Sequence, residues 1–279
     1  MTEQQLRALG PALARFLGRF ADCCRYAPTA AHLGTYVRGL LSDLPRKSVE
    51  PIALAAGTPV RTLQEFLRDH AWNAPTARDT LRRGVAGLLP TLPDDGLGVV
   101  GLVDETSALK QGDKTPGVQR QYLGCAGKVD NGIVTVHLGV SKGRYKALLD
   151  AELFLPERWS DDRPRCRAAG IPDAVVHRTK WQIALAQVDR ARAAGVSLDW
   201  LTFDAEYGKR PGFLDGRGQR FVGEVPRGFS CPAATRSGGR PDRRVKGRPA
   251  EEVVRAGSHF RAQPWRVLRL ARETTHERV

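Results

Sequence analysis

Two short apolar runs, each closing on an aspartate, place the strongest constraint on how this 279-residue chain can fold. The first run, residues 98–103, ends at Asp104, and the second, residues 200–203, ends at Asp204. A short, continuous apolar run is typical of a buried strand, so we predict two neighbouring strands that each deliver a carboxylate to one edge of a sheet. Carboxylate oxygens suit Mg²⁺, which makes the pair a candidate metal site. The alternative role for each aspartate is a cap or a salt-bridge partner.

The pattern around these runs predicts the order of the remaining elements. Residues 1–92 show helical spacing, and the turn-rich stretch 90–96 predicts a domain boundary. Strands and helices are then predicted in this order: strand 98–103, a hairpin of 119–126 and 132–140 turning at Asp130, Asn131 and Gly132, strand 147–154, helix 179–194, strand 198–203, short helix 209–215 and strand 220–225. This order predicts an α/β fold, a ribonuclease-H-like mixed sheet flanked by helices over residues 93–228, preceded by an all-α N-terminal domain over 1–92.

Residues 47–67 predict two short helices joined by a turn. Gly57 would lie in the turn, Thr58 would be the N-cap of the second helix, and Pro59 its first residue. A helix–turn–helix of this kind can lay its second helix in a groove of DNA. An ordinary helical hairpin in a bundle has the same pattern, so both interpretations stay open.

The charge balance favours a polyanionic partner. Lys and Arg number 44 against 30 Asp and Glu, a formal net charge of +14, and nucleic acid is the first candidate for such a chain. The alternative is an arginine-rich composition in which Arg is the usual exposed residue. Residues 229–279 form a basic segment that either follows phosphates or is a solvated loop. The candidate DNA contacts are Arg46, Lys47, Arg61, Lys110, Arg120 and Lys128, with Tyr122 and Tyr207 as candidates for stacking on bases.

The five cysteines are irregularly spaced, without a Cys-x-x-Cys pair, and indicate neither a disulfide framework nor a zinc site. The sequence also contains no apolar run long enough to span a membrane and no signal-peptide pattern. We therefore expect a cytoplasmic protein without a membrane partner.

Several ordered motifs resemble those of bacterial insertion-sequence transposases of the DDE-superfamily endonuclease type. One lies in the helical region, LLSDLPRKSVEP at 40–51. The others follow in order: VDET at 103–106, GVQRQYLG at 117–124, GKVDN at 127–131, LPERW at 155–159, RTK at 178–180 and DAEYG at 204–208. The resemblance covers about residues 15–228, and its specificity comes from the order and spacing of the motifs.

This resemblance implies a DNA transposition enzyme. It would bind double-stranded DNA at transposon terminal inverted repeats as a homodimer, in the nucleoid of a bacterial cytoplasm, and would catalyse strand cleavage and strand transfer. Three acids would hold two Mg²⁺ ions, for which Mn²⁺ can substitute. Asp104 and Asp204 match the first and second catalytic acids and would be metal ligands, with Glu206 as a further ligand. Glu105 would point to the opposite face of its strand.

The third acid of the family pattern, a glutamate on a helix after the last core strand, has no recognisable counterpart before Val279. We therefore expect a copy truncated at its C-terminus and impaired in catalysis. Three alternatives stay open: a non-catalytic DNA-binding regulator, a decayed remnant of a transposase, and a ribonuclease-H-like nuclease unrelated to transposition.

Overall fold

The structure is a computed structural model that describes residues 3–70, 72–214, 219–224, 230–231 and 248–249. The described elements fall into two compact units, Met1–Leu81 and Arg82–Val279. The division lies inside a helix rather than at the turn-rich stretch 90–96, because Arg82 and Val85 of that helix are buried within the second unit. The domain boundaries 92/93 and 228/229 stay predictions, and most of the basic segment 229–279 lies outside the described residues.

The first unit is built from helices in its described part. They are α1 Glu3–Gly18, α2 Ala27–Leu41, α3 Val49–Ala55, α4 Val60–Arg68 and the beginning of α5 Ala74–Leu88, with a 3-10 turn at Ala21–Cys23. Their core contains Ile52, Ala53, Leu63 and Phe66. At Gly39 a Cβ would lie 2.3 Å from Cγ2 of Ile52, so a glycine is needed where α2 packs on α3.

The two short helices predicted over residues 47–67 are present as α3 and α4, which fits both interpretations, but Thr58 is not the N-cap of the second helix. The N–H of Thr58 donates to the carbonyl of Ala53 (2.9 Å), and the N–H of Gly57 donates to that of Leu54 (3.1 Å). These two hydrogen bonds, with Gly57 at φ 63°, cap the C-terminal end of α3. Thr58 therefore belongs to the end of α3, and α4 begins after Pro59.

The second unit contains a mixed sheet with helices against it. Its strands are β1 Val100–Leu109, β2 Gln119–Leu123, β3 Lys128–Lys142, β4 Tyr145–Leu153, β5 Trp200–Phe203 and β6 Phe221–Gly223, in the order β2-β3-β1-β5-β6 with β4 pairing β3. β1, β2 and β4 pair antiparallel to β3, whereas β5 is parallel to β1 and to β6. The helices are α6 Glu157–Ser160, α7 Arg163–Ala168, α8 Lys180–Ala193, α9 Ala205–Gly208 and α10 Pro211–Leu214. A two-stranded pair, β7 Ser230–Cys231 and β8 Arg248–Pro249, is separate.

Helix α8 covers one face of the sheet, and its prediction is confirmed. Thr179 caps it in a capping box with Gln182, and Gly195, at φ 90°, follows its end. Gln187 lies fully buried and donates from Nε2 to the carbonyl of Val136 (2.8 Å). The face beneath α8 presents alternate residues of β3, which are buried: Val134, Val136, Leu138 and Val140.

Strand β1 is longer than the sequence predicts. It does not end at Val103 but continues to Leu109, because β3 pairs with it from Val100↔Ser141 to Leu109↔Gly132. An antiparallel ladder uses only backbone groups, so a carboxylate side chain does not interrupt it. Asp104 therefore lies in the interior of a strand, opposite His137.

The predicted turn at Asp130, Asn131 and Gly132 is also wrong. The turn lies at residues 124–127, where Gly127 takes φ 63° and its N–H donates to the carbonyl of Leu123 (2.9 Å). Asn131 lies within β3, and its amide donates to the carbonyls of Lys110 (2.9 Å) and Gly112 (2.8 Å). Its side chain therefore holds the loop that follows β1 instead of forming a turn of its own.

Candidate active site

Asp104 and Asp204 lie level with each other on one face of the sheet. β1 and β5 run parallel with Leu102 opposite Thr202, and two further residues along each strand lead to the aspartates. Val103 and Phe203, which precede them, are buried on the other face. Burial raises the pKa of the Asp204 carboxyl above its usual range. Hydrogen bonds from two backbone N–H groups lower this pKa in part, whereas the charges of Asp104 and Glu206 raise it further. The two aspartates are thus close enough to interact electrostatically.

Each aspartate is held by the backbone that follows it. Oδ1 of Asp104 accepts from the N–H of Glu105 (2.7 Å), and Oδ1 of Asp204 accepts from the N–H of Glu206 (3.0 Å). Asp204 is the N-cap of α9, a position that aspartate favours because its side chain accepts from the unpaired N–H groups of the first turn. The capping role considered for Asp204 is therefore real, and it also fixes where its carboxylate lies.

The neighbouring glutamates have different surroundings. Glu105 shares the face of β1 that α8 covers, and its Oε2 accepts from Nζ of Lys180 at 2.5 Å. Glu206 is exposed, and its Oε1 lies 2.5 Å from Nζ of Lys209. Glu206 is close to Asp204, as its role as a metal ligand requires, but its charge is matched by a lysine. That role stays a prediction.

Two adjoining clefts open at this place. One, with a volume of about 520 Å³, is lined by Asp104 and Asp204 and by Gln121 and Tyr122 of β2. The other, of about 260 Å³, is lined by aromatic and basic side chains, among them Phe154, Trp181, Tyr207 and Arg210. Glu105, Lys180 and Glu206 line both. The aspartates therefore face a space that a large polar substrate can enter.

The donor set fits a divalent cation of the Mg²⁺ type. Mg²⁺ is commonly bound through one or two carboxylates and keeps several waters, and a cation relieves the repulsion between two adjacent carboxylates. Within the described residues, no group of three or more His, Cys, Asp and Glu side chains is arranged to hold a metal. The role of Asp104 and Asp204 as metal ligands therefore stays a prediction, and the third acid stays unidentified.

The predicted DNA contacts fall in both units. Arg46, Lys47 and Arg61 are exposed in the first unit, where Arg61 pairs with Glu65 (2.8 Å) and Nζ of Lys47 donates to the carbonyl of Leu40 (2.8 Å). In the second unit Arg120 and Lys128 are exposed on the β2–β3 hairpin, Lys128 pairs with Asp130 (3.0 Å), and Lys110 is half-buried just after β1. These groups are accessible to phosphate, and their role in binding stays a prediction.

Two residues have surroundings that the sequence did not indicate. Tyr207, a candidate for base stacking, is only 1% exposed, and its ring packs against Phe213 (centroids 5.2 Å apart), so it is not available to stack on bases. Tyr122 is 62% exposed and lines the larger cleft, as stacking requires. Lys180 pairs with Glu105, a residue 75 positions away in the chain. The RTK motif at 178–180 is the one signal for Lys180 in the sequence.

Comparison with known proteins decides the family. A sequence model of the DDE superfamily endonucleases matches residues 19–278. The chain belongs to this family. A probable transposase for insertion sequence element IS701 from Microchaete diplosiphon is 34% identical over 173 residues, which are 61% of this chain and 41% of that protein. The chain thus matches about two fifths of the length of this curated relative. The resemblance to insertion-sequence DDE transposases is confirmed.

The family match also extends beyond residue 228, where the recognisable motifs end. DDE superfamily endonucleases typically use divalent metals, in agreement with the carboxylate pair of this member. None of the helices in the described part of the chain combines the length and the apolar character that crossing a membrane would need.

Proposed function

We propose that this DDE superfamily endonuclease binds double-stranded DNA at transposon terminal inverted repeats and catalyses Mg²⁺-dependent strand cleavage and strand transfer. The observation that carries the proposal is the placement of Asp104 and Asp204, level on adjacent parallel strands and coupled in charge. The strand order β4-β3-β1-β5-β6, with only β3 antiparallel to its neighbours, supports a ribonuclease-H-like core for the second unit.

The residues of the chain would divide the work as follows. Asp104 and Asp204 would hold the cation, which supplies activation of the nucleophile and stabilisation of the leaving 3′-oxygen, with Mn²⁺ able to replace Mg²⁺. Glu206 would assist after release from Lys209. Arg120 and Lys128 would neutralise phosphates beside the larger cleft, and Arg46, Lys47 and Arg61 would do so in the first unit. A homodimer would hold the two ends of the element together, in the nucleoid.

A non-catalytic DNA-binding regulator is the second candidate function. The pairing of Glu206 with Lys209 favours it, because this pairing leaves two carboxylates for the cation in the described residues. Such a site aligns nucleophile and leaving group poorly, so we propose that cleavage by this chain is slow. The regulator would bind the same DNA without cutting it.

Cleavage of labelled end DNA by the purified chain in Mg²⁺ tests the proposal. Asp104→Asn and Asp204→Asn should each lower the rate about 100-fold or more while DNA affinity is retained, because each removes a ligand charge. Asp173→Asn is the matched control, since Asp173 is an exposed aspartate of the same unit that pairs with Arg167. Binding without any cleavage above background would support the regulator, and cleavage unaffected by either variant would reject the carboxylate pair as the site.

A further inference from the structure

The hydroxyl group of Tyr207 is a feature that the packing of this side chain does not explain. Its hydroxyl is buried and, within the described residues, has no hydrogen-bond partner. A buried hydroxyl without a partner costs free energy that phenylalanine at the same place would avoid. The aromatic packing with Phe213 would serve equally well without the oxygen. The hydroxyl therefore points to a contact made in another state of the site.

Glu105 is the group that this hydroxyl can reach. Glu105 and Tyr207 line the same smaller cleft, together with Lys180. A phenol hydroxyl is a hydrogen-bond donor and a carboxylate is an acceptor, so the two groups can pair. Nζ of Lys180 lies 2.5 Å from Oε2 of Glu105, and this ammonium group also lies 5.6 Å from the centroid of the Phe154 ring. The Glu105 carboxylate is therefore paired with an ammonium group and shares a cleft with a phenol.

These residues connect the two strand ends that carry the aspartates. Glu105 directly follows Asp104 and donates its N–H to it, and Tyr207 lies in the single turn of α9 that Asp204 caps. A bond between the Tyr207 hydroxyl and Glu105 would therefore join the backbone beside one aspartate to the backbone beside the other. Its length would set how far apart the two carboxylates stand.

We propose that Glu105 and Tyr207 are positioning residues: the Tyr207 hydroxyl donates to the Lys180-held carboxylate of Glu105 when the site holds a divalent cation, and this contact sets the separation of Asp104 and Asp204. The inference rests on the proposed function, because it needs the aspartates to bind the cation. It assigns Glu105 a role other than that of a metal ligand, in keeping with its place on the opposite face of β1.

Mn²⁺ binding by the full chain, followed by electron paramagnetic resonance without DNA, tests the inference without relying on activity. Tyr207→Phe changes no charge, so we expect it to leave the thermal midpoint unchanged or higher and to weaken Mn²⁺ binding about 10–100-fold, as loss of an outer-sphere partner does. Tyr145→Phe is the matched control, because it removes a hydroxyl from β4 in the same unit. An unchanged affinity in Tyr207→Phe would overturn the inference.

Lys180→Met is a second test, because a role through charge alone and a role in holding Glu105 predict opposite changes in cation affinity. Removal of a positive charge near the aspartates should tighten cation binding if Lys180 acts only through its charge, whereas loss of the hold on Glu105 should weaken it. We expect weaker binding, restored by Lys180→Arg, and tighter binding would overturn the inference. If Lys180→Met does not fold, Tyr207→Phe decides alone.

Asp104→Asn separates this inference from the function it rests on. A wild-type chain that binds no Mn²⁺, or binds it equally after Asp104→Asn, would reject the proposed metal site and the inference together. Binding that depends on Asp104 but is indifferent to Tyr207→Phe would reject the inference alone.

Discussion

At the scale of single residues, the stability of the second unit depends on paired charges that are buried under α8. Nη1 of Arg82 and Nε of Arg190 both lie 2.7 Å from Oδ2 of Asp150, whose side chain has no exposed area. Arg190 also contacts Glu152 (3.0 Å), which accepts a further bond from Arg178. This chain of charges joins α5, β4 and α8. A buried charge is tolerated only when it is paired, so each member depends on its partners.

Arg82→Met should therefore be strongly destabilising. It leaves the Asp150 carboxylate with less compensation in a buried place, and we expect a loss of about 3–5 kcal/mol in the free energy of unfolding, measured by chemical denaturation. Arg83→Met is the control, because Arg83 is the exposed neighbour on the same helix and should change stability by less than about 0.5 kcal/mol. Equal effects of the two variants would contradict the assigned role of the buried pair.

The residues of the candidate site differ in how far the sequence predicts them. Asp104 and Asp204 follow from strand periodicity and motif, both of which are local. The contact of Glu105 with Lys180 and the burial of Tyr207 do not, because they depend on where α8 and α9 lie against β1. Strand alternation predicted the face that Glu105 occupies, but nothing in the sequence indicates what it meets there.

At the scale of elements, local signals decide how much of an element is predictable. The capping box at Thr179 and the glycine at 195 define α8 within the sequence itself. By contrast, residues 130–132 (Asp130, Asn131 and Gly132) have the composition of a turn, but the turn between β2 and β3 lies at 124–127. The Asn131 side chain instead donates hydrogen bonds to carbonyls of the loop after β1, and pairing with β3 extends β1 beyond its predicted end. Both errors come from contacts between distant segments.

Helix packing in the first unit gives a prediction at this scale. In Gly39→Ala the new Cβ would meet the Ile52 side chain at 2.3 Å, so α2 and α3 must move apart, and we expect a loss of about 1–3 kcal/mol in the free energy of unfolding. Gly10→Ala in α1 has no atom within 4 Å of its new Cβ and should raise stability by up to about 1 kcal/mol through helix propensity. Urea denaturation of both variants checks the pair, and stabilisation by Gly39→Ala would show that the helices are not in close contact there.

At the scale of the whole molecule, the net charge of +14 bears on association rather than on fold. Many basic residues are already matched inside the second unit: Arg82, Arg178, Lys180 and Arg190 all pair with buried or half-buried carboxylates. The charge available to DNA therefore comes from exposed side chains such as Arg120 and Lys128. Each phosphate that such a residue neutralises releases counterions, which makes affinity depend on salt.

The salt dependence of DNA affinity is therefore the prediction that the whole molecule supports. A plot of log affinity against log salt should fall with a slope of about −0.9 for each phosphate contacted. Arg120→Gln and Lys128→Gln should each make that slope shallower by about 1 and weaken binding to end DNA and to unrelated DNA alike, because phosphate contacts do not read sequence. Arg167→Gln, which removes an exposed charge on α7 rather than on the β2–β3 hairpin that borders the larger cleft, is the control and should leave the slope unchanged. A slope unaffected by Arg120→Gln and Lys128→Gln would place the DNA on another surface of the chain.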